Sequence, residues 1–104
     1  MDEIITKLTA LGLSFAHYGW SHAPEGDYGV WAEDGANDLN ADNHHGEHAL
    51  TGTLDYFTRD DSGTPKTTIE AELEAGNVAW SLYSIQFEDD TGYIHYEWVV
   101  EWLE

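Results

Sequence analysis

Three histidines and a glutamate lie within five residues near the middle of the chain, at His44, His45, Glu47 and His48. Imidazole and carboxylate groups bind zinc or nickel when the backbone folds around the ion. Gly46 disfavours a helix that would align His44 with His48, and the spacing does not match the His-Glu-x-x-His pattern of zinc hydrolases. We therefore interpret these side chains as solvated loop histidines and predict no metal cofactor.

The residues just before them reproduce part of a calcium-binding loop. Asp38, Asn40 and Asp42 match the first three oxygen ligands of that pattern. The sixth position is Asn43, where glycine is expected, and the twelfth is Ala49, where a bidentate glutamate is needed. The pattern therefore indicates a turn-rich surface loop, and we predict no calcium site.

An acid-base or nucleophilic enzyme would need a base beside its partner. Candidate pairs combine His17 or His95 with Ser14, Ser84, Asp55 or Glu97. The sequence contains no Gly-x-Ser-x-Gly motif, phosphate-binding loop or dinucleotide fingerprint. With six histidines and 21 acidic residues, such pairs are expected by chance. We predict that the protein is not an enzyme and uses no cofactor.

The charge balance limits the partners. The chain has 21 Asp and Glu against three Lys and Arg, for a formal net charge of -18. Such a surface repels a phosphate backbone, which excludes sequence-specific DNA binding. The acids are either a solvated surface that keeps the protein soluble or, if several copies surround a channel, a lining that lets DNA pass without sticking. Composition by itself does not choose between the two.

The 104 residues are 41% hydrophobic and 13% aromatic, which predicts one folded domain over 1–104 rather than a disordered chain. There is no cysteine, so disulfides and cysteine-based zinc sites are excluded. No segment approaches the roughly 20 apolar residues of a membrane span. We expect a soluble, unexported protein with no membrane contact.

Hydrophobic spacing predicts an α+β fold, a mostly antiparallel sheet of four to five strands with two helices packed on it. The predicted helices cover 2–11 and 65–75, and the predicted strands cover 13–20, 28–32, 48–58, 78–87 and 93–102. Asp2 is the expected N-cap of the first helix, and Gly12 is its expected stop. Thr64 is the expected N-cap of the second helix and Pro65 its first helical residue, and Gly76 with Asn77 is its expected stop. Residues 88–92 are predicted to form a tight hairpin loop between the last two strands. The strands over 28–32 and 48–58 are predicted to form a second hairpin, across an acidic loop.

The side-chain pattern also predicts which faces are buried. Ile69 and Leu73 form an apolar pair on one helix face. Strand 13–20 has no clean polar face, so we expect it to be buried on both sides. Alternation is clearest in 93–102, where one face carries Ile94, Tyr96, Trp98, Val100 and Trp102.

A protruding acidic loop is predicted over 33–47, and a loop of that length is usually functional or disordered. The candidate interface comprises residues of this loop and the adjacent tryptophan: Trp31, Asp34, Asp38, Asp42, His44, His45 and Glu47.

The chain also has five Trp and six Tyr. These aromatic residues either build one thick core or contribute to subunit contacts, where Trp and Tyr are enriched, and carbohydrate stacking is a further alternative.

Two segments come before the second predicted helix: Gly29-Val-Trp-Ala-Glu-Asp-Gly-Ala-Asn-Asp-Leu-Asn-Ala-Asp42 and Thr51-Gly-Thr-Leu-Asp-Tyr-Phe-Thr58. This order of segments resembles small tail-terminator and head-tail joining proteins of long-tailed bacteriophages. The resemblance implies an α+β subunit with a sheet backed by helices. It also implies a ring, often hexameric, at the head-proximal end of the tail tube, where it stops tube growth and joins tail to head.

The resemblance implies phage tail-tube and head-connector proteins as partners, DNA passing through without specific binding, and a place in the virion neck after assembly in the host cytoplasm. The loop over 33–47 is then a candidate for packing against neighbouring proteins or for ordering on assembly. One alternative is another head-tail connector component, a stopper or adaptor. An alternative from a different class is a small acidic binding module, such as a DNA-mimic inhibitor, which would stay a monomer or dimer and compete with DNA.

Overall fold

The computed structural model describes residues 1–38 and 48–103. They form two helices and five strands: α1 (Asp2–Ala10), β1 (Phe15–His17), β2 (Tyr28–Asp38), β3 (His48–Thr58), α2 (Thr64–Ala75), β4 (Ala79–Phe87) and β5 (Ile94–Leu103). The predicted α+β class is confirmed. Neither of these helices has the length and apolar character needed to cross a membrane.

The five strands form one sheet in the order β1-β2-β3-β5-β4. β1 pairs with β2 in parallel, and the other three pairings are antiparallel. The sequence therefore correctly predicted β2 with β3, and β4 with β5, as antiparallel partners. β5 lies between β3 and β4, so β4 and the three-residue β1 form the two edges of the sheet.

The core lies between one face of this sheet and the two helices. β5 alternates as predicted, and Tyr96, Trp98, Val100 and Trp102 are buried. From the helices, Leu8, Ile69 and Leu73 are fully buried against the same cluster. Burial of these side chains is the main source of folding free energy, because each removes apolar surface from water.

Trp98 connects the centre of the sheet to α2. Its side chain is fully buried, and its indole Nε1–H donates a hydrogen bond to Glu70 Oε2 at 3.0 Å. Lys66 Nζ donates to the other oxygen, Glu70 Oε1, also at 3.0 Å. A buried indole N–H needs an acceptor, and Glu70 supplies it from one turn beyond Lys66.

Both helices end at the predicted stop signals, but α1 ends at Ala10, one residue before the predicted end, and α2 begins at Thr64, one residue before the predicted start. Gly12 (φ +92°) follows α1, and Asn77 (φ +58°) follows α2. In each case the next residue returns a backbone hydrogen bond into the last turn, from Leu13 to Leu8 and from Val78 to Leu73. This Schellman arrangement satisfies carbonyl groups that would otherwise lack partners.

The predicted caps are wrong by one residue. The N-cap residues are Met1 and Gly63, and neither makes a side-chain capping bond. Asp2 is instead the first residue of α1. Thr64 is already helical because Gly63 turns the chain with φ +85°, and the Thr64 hydroxyl accepts a hydrogen bond from Ser62.

β2 is six residues longer than predicted, so the acidic loop does not begin at Glu33. Residues 35–38 pair with residues 48–51 of β3, and a bulge lies between Glu33 and Gly35. Asp, Asn and Gly are rare in strands, but pairing with a regular neighbour overrides that preference. Gly52 allows the close approach at the bulge, since a Cβ there would clash with the Ala32 carbonyl oxygen.

β1 is shorter than predicted and is not buried on both sides. Tyr18 takes a left-handed backbone (φ +70°) and ends the strand after three residues. Phe15 and Ala16 are half-buried and His17 is exposed. An edge strand has a neighbour on one side only, which explains this lower burial.

Replacing Trp98 with Phe should lower the free energy of unfolding by about 2–4 kcal/mol, because it leaves a cavity and removes a bond to a charged acceptor. Urea unfolding followed by circular dichroism measures the loss. In a Glu70→Gln background the same substitution should cost less, because the two side chains interact. Leu11→Ala, at a side chain that is 56% exposed, is the control and should stay within about 0.5 kcal/mol of the parent. Equal losses in the free energy of unfolding for the Trp98 and Leu11 variants would contradict the buried, hydrogen-bonded role of Trp98.

Candidate functional site

The two helices cover one face of the sheet, and the other face carries no helix among the described residues. We call this second face the open face. Strand register assigns to it the side chains of Tyr28, Val30, Ala32, Thr51, Thr53, Asp55, Phe57, Ser81, Ser84, Gln86, His95, Glu97, Val99 and Glu101. Most of them are half-buried by their neighbours within the sheet.

Asp55, His95 and Glu97 form a cluster at the centre of the open face. Each offers one ligand atom, and these atoms all lie within 4.8 Å of one another. His95 Nε2 is 2.8 Å from Asp55 Oδ1. Asp55 on β3 is directly opposite Glu97 on β5, an arrangement of like charges that normally destabilises a strand pair. The neighbouring imidazole provides a polar partner for this pair of acids.

The cluster is held by strands rather than loops. Phe57 lies opposite His95 in the strand register, and the two rings stack with centroids 4.1 Å apart and planes inclined by 18°. Tyr28 stacks in turn on Phe57 at 4.7 Å. These contacts restrict the orientation of the imidazole, which keeps Nε2 directed at Asp55.

The lysines and arginine of the chain lie elsewhere. Lys66 contacts Glu70 under the sheet, and Lys7 belongs to α1 on the covered face. Arg59 lies over the Tyr93 ring at 4.1 Å and donates to the carbonyl oxygens of Thr91 and Glu25. In the part of the chain that the structure describes, the two carboxylates of the cluster therefore have an imidazole as their basic neighbour.

A second histidine-carboxylate pair lies near the β1 edge. His17 Nε2 is 2.7 Å from Glu33 Oε1, and the imidazole stacks between Tyr18 and Trp31. Hydrogen bonding to His17, and then to Tyr18, lowers the pKa of the Glu33 carboxyl to about 2. The carboxylate is the form that accepts these bonds, so the bonds favour ionisation.

Neither pair is arranged as a nucleophile with its base. Within residues 1–38 and 48–103, the side-chain partners of His17 and His95 are the carboxylates of Glu33 and Asp55. A nucleophilic site would need a hydroxyl or thiol within hydrogen-bond reach of the imidazole. Within these residues, neither imidazole is therefore paired with a side-chain nucleophile.

β4 presents the second unusual surface. It pairs with β5 on one side only, so the N–H and C=O groups on its other side have no strand partner among the described residues. Its sequence, Ala79–Phe87, contains no charged residue. Tyr83, Ile85 and Phe87 are 70%, 54% and 64% exposed, and we call these three residues with their backbone the β4 edge. Proteins normally protect such an edge with charges, proline or a covering element.

Of the predicted interface residues, the structure describes Trp31, Asp34 and the backbone of Asp38. Trp31 is 6% exposed and packs edge-to-face on Trp102, so it belongs to the core of the isolated chain. Asp34 lies exposed at the bulge, where its carboxylate accepts a hydrogen bond from Thr51 at 2.9 Å. Asp38 ends β2, opposite His48 in the register. Asp42, His44, His45 and Glu47 lie outside the described residues, as do Asn40 and Asn43 of the calcium-loop pattern.

Sequence reasoning named His95, Asp55 and Glu97 as possible acid-base partners but did not recognise them as one cluster. Asp55 and His95 are 40 positions apart, and only the register of β3 against β5 brings them together. Alternation within each strand was the available signal, since Asp55, His95 and Glu97 all lie on the polar faces of their strands. The β4 edge was visible in the sequence as an uncharged strand.

No protein-family model matches the sequence, and no curated protein is similar to it.

The Glu33 carboxyl should titrate well below the ordinary value of a glutamate, 4.5. Above pH 4.5 its carboxylate contributes to stability, and that contribution is lost as the pH falls towards about 2, because protonation removes the acceptor. A carboxyl-carbon NMR titration should give a midpoint near 2 for Glu33. His17→Phe should move this midpoint up towards the ordinary value, whereas His22→Phe, at an exposed histidine, should not. A titration midpoint near 4.5 for Glu33 in the parent protein would refute the hydrogen bond between His17 and Glu33.

Proposed function

We propose that this chain is a non-enzymatic structural subunit that assembles with further copies of itself through the β4 edge. The observation that supports this proposal is an exposed, apolar and uncharged edge strand in a chain of net charge -18. The resemblance to tail-terminator proteins makes a phage tail the most specific setting. There the chain forms a ring, a hexamer, that ends the tail tube and joins it to the head connector.

Charge favours a second copy at the β4 edge. Copies of charge -18 repel one another over most of their surface, and screening weakens that repulsion beyond a Debye length of about 8 Å at physiological ionic strength. Contact along β4 brings together uncharged side chains and gains burial of Tyr83, Ile85 and Phe87. It also allows the outer N–H and C=O groups of β4 to form backbone hydrogen bonds with the second copy, as in strand addition.

A ring sets a further condition on this contact. Pairing β4 with β4 of a second copy would be two-fold symmetric and would close as a dimer. A ring requires that the β4 edge of each copy meets a different surface of the next copy. β1 is the other sheet edge, but its three residues provide little pairing, so side-chain packing of the β4 edge contributes much of the contact.

The acidic composition agrees with a channel through which DNA passes. A ring of six such chains would carry a large negative charge, and repulsion from all sides keeps a polyanion away from the wall. The partners in this proposal are the tail-tube and head-connector proteins, and the ring belongs to the neck of the virion. A stopper or adaptor of the same connector would use the same contacts between subunits.

The DNA-mimic alternative depends on charge alone. A mimic presents carboxylates to a basic partner and needs no apolar edge. The β4 edge therefore favours assembly over mimicry.

The mass in solution tests the proposal. Light scattering at low and high salt should give a mass near six subunits at high salt, where repulsion is screened. Ile85→Glu adds a charge to each β4 edge and should shift the protein to the monomer. Leu11→Glu is the matched control, because Leu11 is exposed to a similar extent, 56% against 54%, and lies on α1.

Two results would contradict the proposal. The first is a parent protein that stays monomeric at both salt concentrations. The second is an Ile85→Glu variant that keeps the mass of the parent. A monomer that competes with DNA for a basic protein would favour the acidic binding module instead.

A further inference from the structure

We propose that Asp55, His95 and Glu97 on the open face form a binding site for a zinc ion. Zinc is bound in proteins by imidazole nitrogen and carboxylate oxygen at about 2.0–2.2 Å. Three protein ligands would leave one tetrahedral position for water. The proposal concerns the chain itself and does not depend on whether it assembles into a ring.

The distances within the cluster suit a small ion. Ligand atoms around a tetrahedral zinc ion lie about 3.4 Å apart, as follows from its bond lengths. His95 Nε2 and Asp55 Oδ1 are 2.8 Å apart, and the three ligand atoms all lie within 4.8 Å of one another. Changes of well under 2 Å, which side-chain rotation can supply, would bring all three to bonding distance.

The site is organised before any ion binds. Asp55 and Glu97 are directly opposite each other on neighbouring hydrogen-bonded strands, and His95 is two residues from Glu97. Phe57 stacks on the imidazole at 4.1 Å and limits its rotation. Ligands on strands lose less conformational freedom on binding than ligands on loops, so more of the binding energy is retained.

Electrostatics favours a cation here over a simple ion pair. Two carboxylates face one imidazole, and Arg59 and Lys66 are engaged with other partners. Even a protonated His95 would leave the cluster with one negative charge in excess. A divalent cation would neutralise both carboxylates and bind the neutral imidazole, which removes the like-charge opposition between Asp55 and Glu97.

The mixed donor set favours zinc over the hard ions magnesium and calcium. Imidazole suits zinc, copper, iron and nickel, whereas an all-oxygen site would suit magnesium or calcium. Among available divalent ions, zinc binds nitrogen and oxygen donors more tightly than manganese. We therefore expect the order zinc, then manganese, then magnesium in affinity.

Calorimetric titration of zinc chloride into the chelator-stripped, full-length protein at pH 7 tests the site. The parent should bind one zinc ion that His95→Gln and Glu97→Gln weaken at least tenfold, because each removes a ligand. The loop histidines could also bind zinc, so the triple variant His44→Gln, His45→Gln, His48→Gln is an essential control. It should retain the ion, as should His17→Gln in the other histidine-carboxylate pair.

Thermal unfolding gives a second measurement that separates binding from misfolding. Zinc should raise the melting temperature of the parent and of the triple loop variant, because the ion binds the folded chain. His95→Gln should melt cooperatively without metal and show no rise with zinc. The proposal is overturned if the parent binds no zinc, if His95→Gln binds as tightly as the parent, or if the triple loop variant loses the ion.

Discussion

The architecture depends on one feature: both helices pack on the same face of the five-stranded sheet. α1 and α2 have nine and 12 residues, and both pack over the face that carries Trp98. The bond from Trp98 to Glu70 holds α2 to the centre of that face, and apolar burial around it supplies the driving force. The opposite face and the β4 edge are left uncovered by the described residues.

The two uncovered surfaces differ in charge, and this difference determines what each can bind. The open face collects carboxylates around an imidazole, which attracts cations. The β4 edge has no charge and presents apolar side chains, which favours contact with another protein chain. In a chain with 21 acids and three basic residues, a nine-residue strand without charge reduces the repulsion between copies that meet there.

Two of the three basic residues, Lys66 and Arg59, make contacts within the fold. Lys66 completes the contact between α2 and Trp98 through Glu70. Arg59 and Tyr93 together fix the segment before β2 to the hairpin between β4 and β5, since both donate to the Glu25 carbonyl oxygen. With Arg59 and Lys66 engaged in this way, phosphate groups find little attraction on the described surface.

The sequence by itself determined the elements and their buried faces, because periodicity reports which side of each helix or strand is apolar. The alternation in β5, the Ile69 and Leu73 pair in α2 and the two hairpins could be predicted in this way. Tertiary structure decided which strands are neighbours. Pairing with β3 made 33–38 a strand despite its residue types, packing against Trp102 drew Trp31 into the core, and the register of β3 against β5 assembled Asp55, His95 and Glu97. Those contacts join residues many positions apart, whereas a local pattern records only the face of its own element.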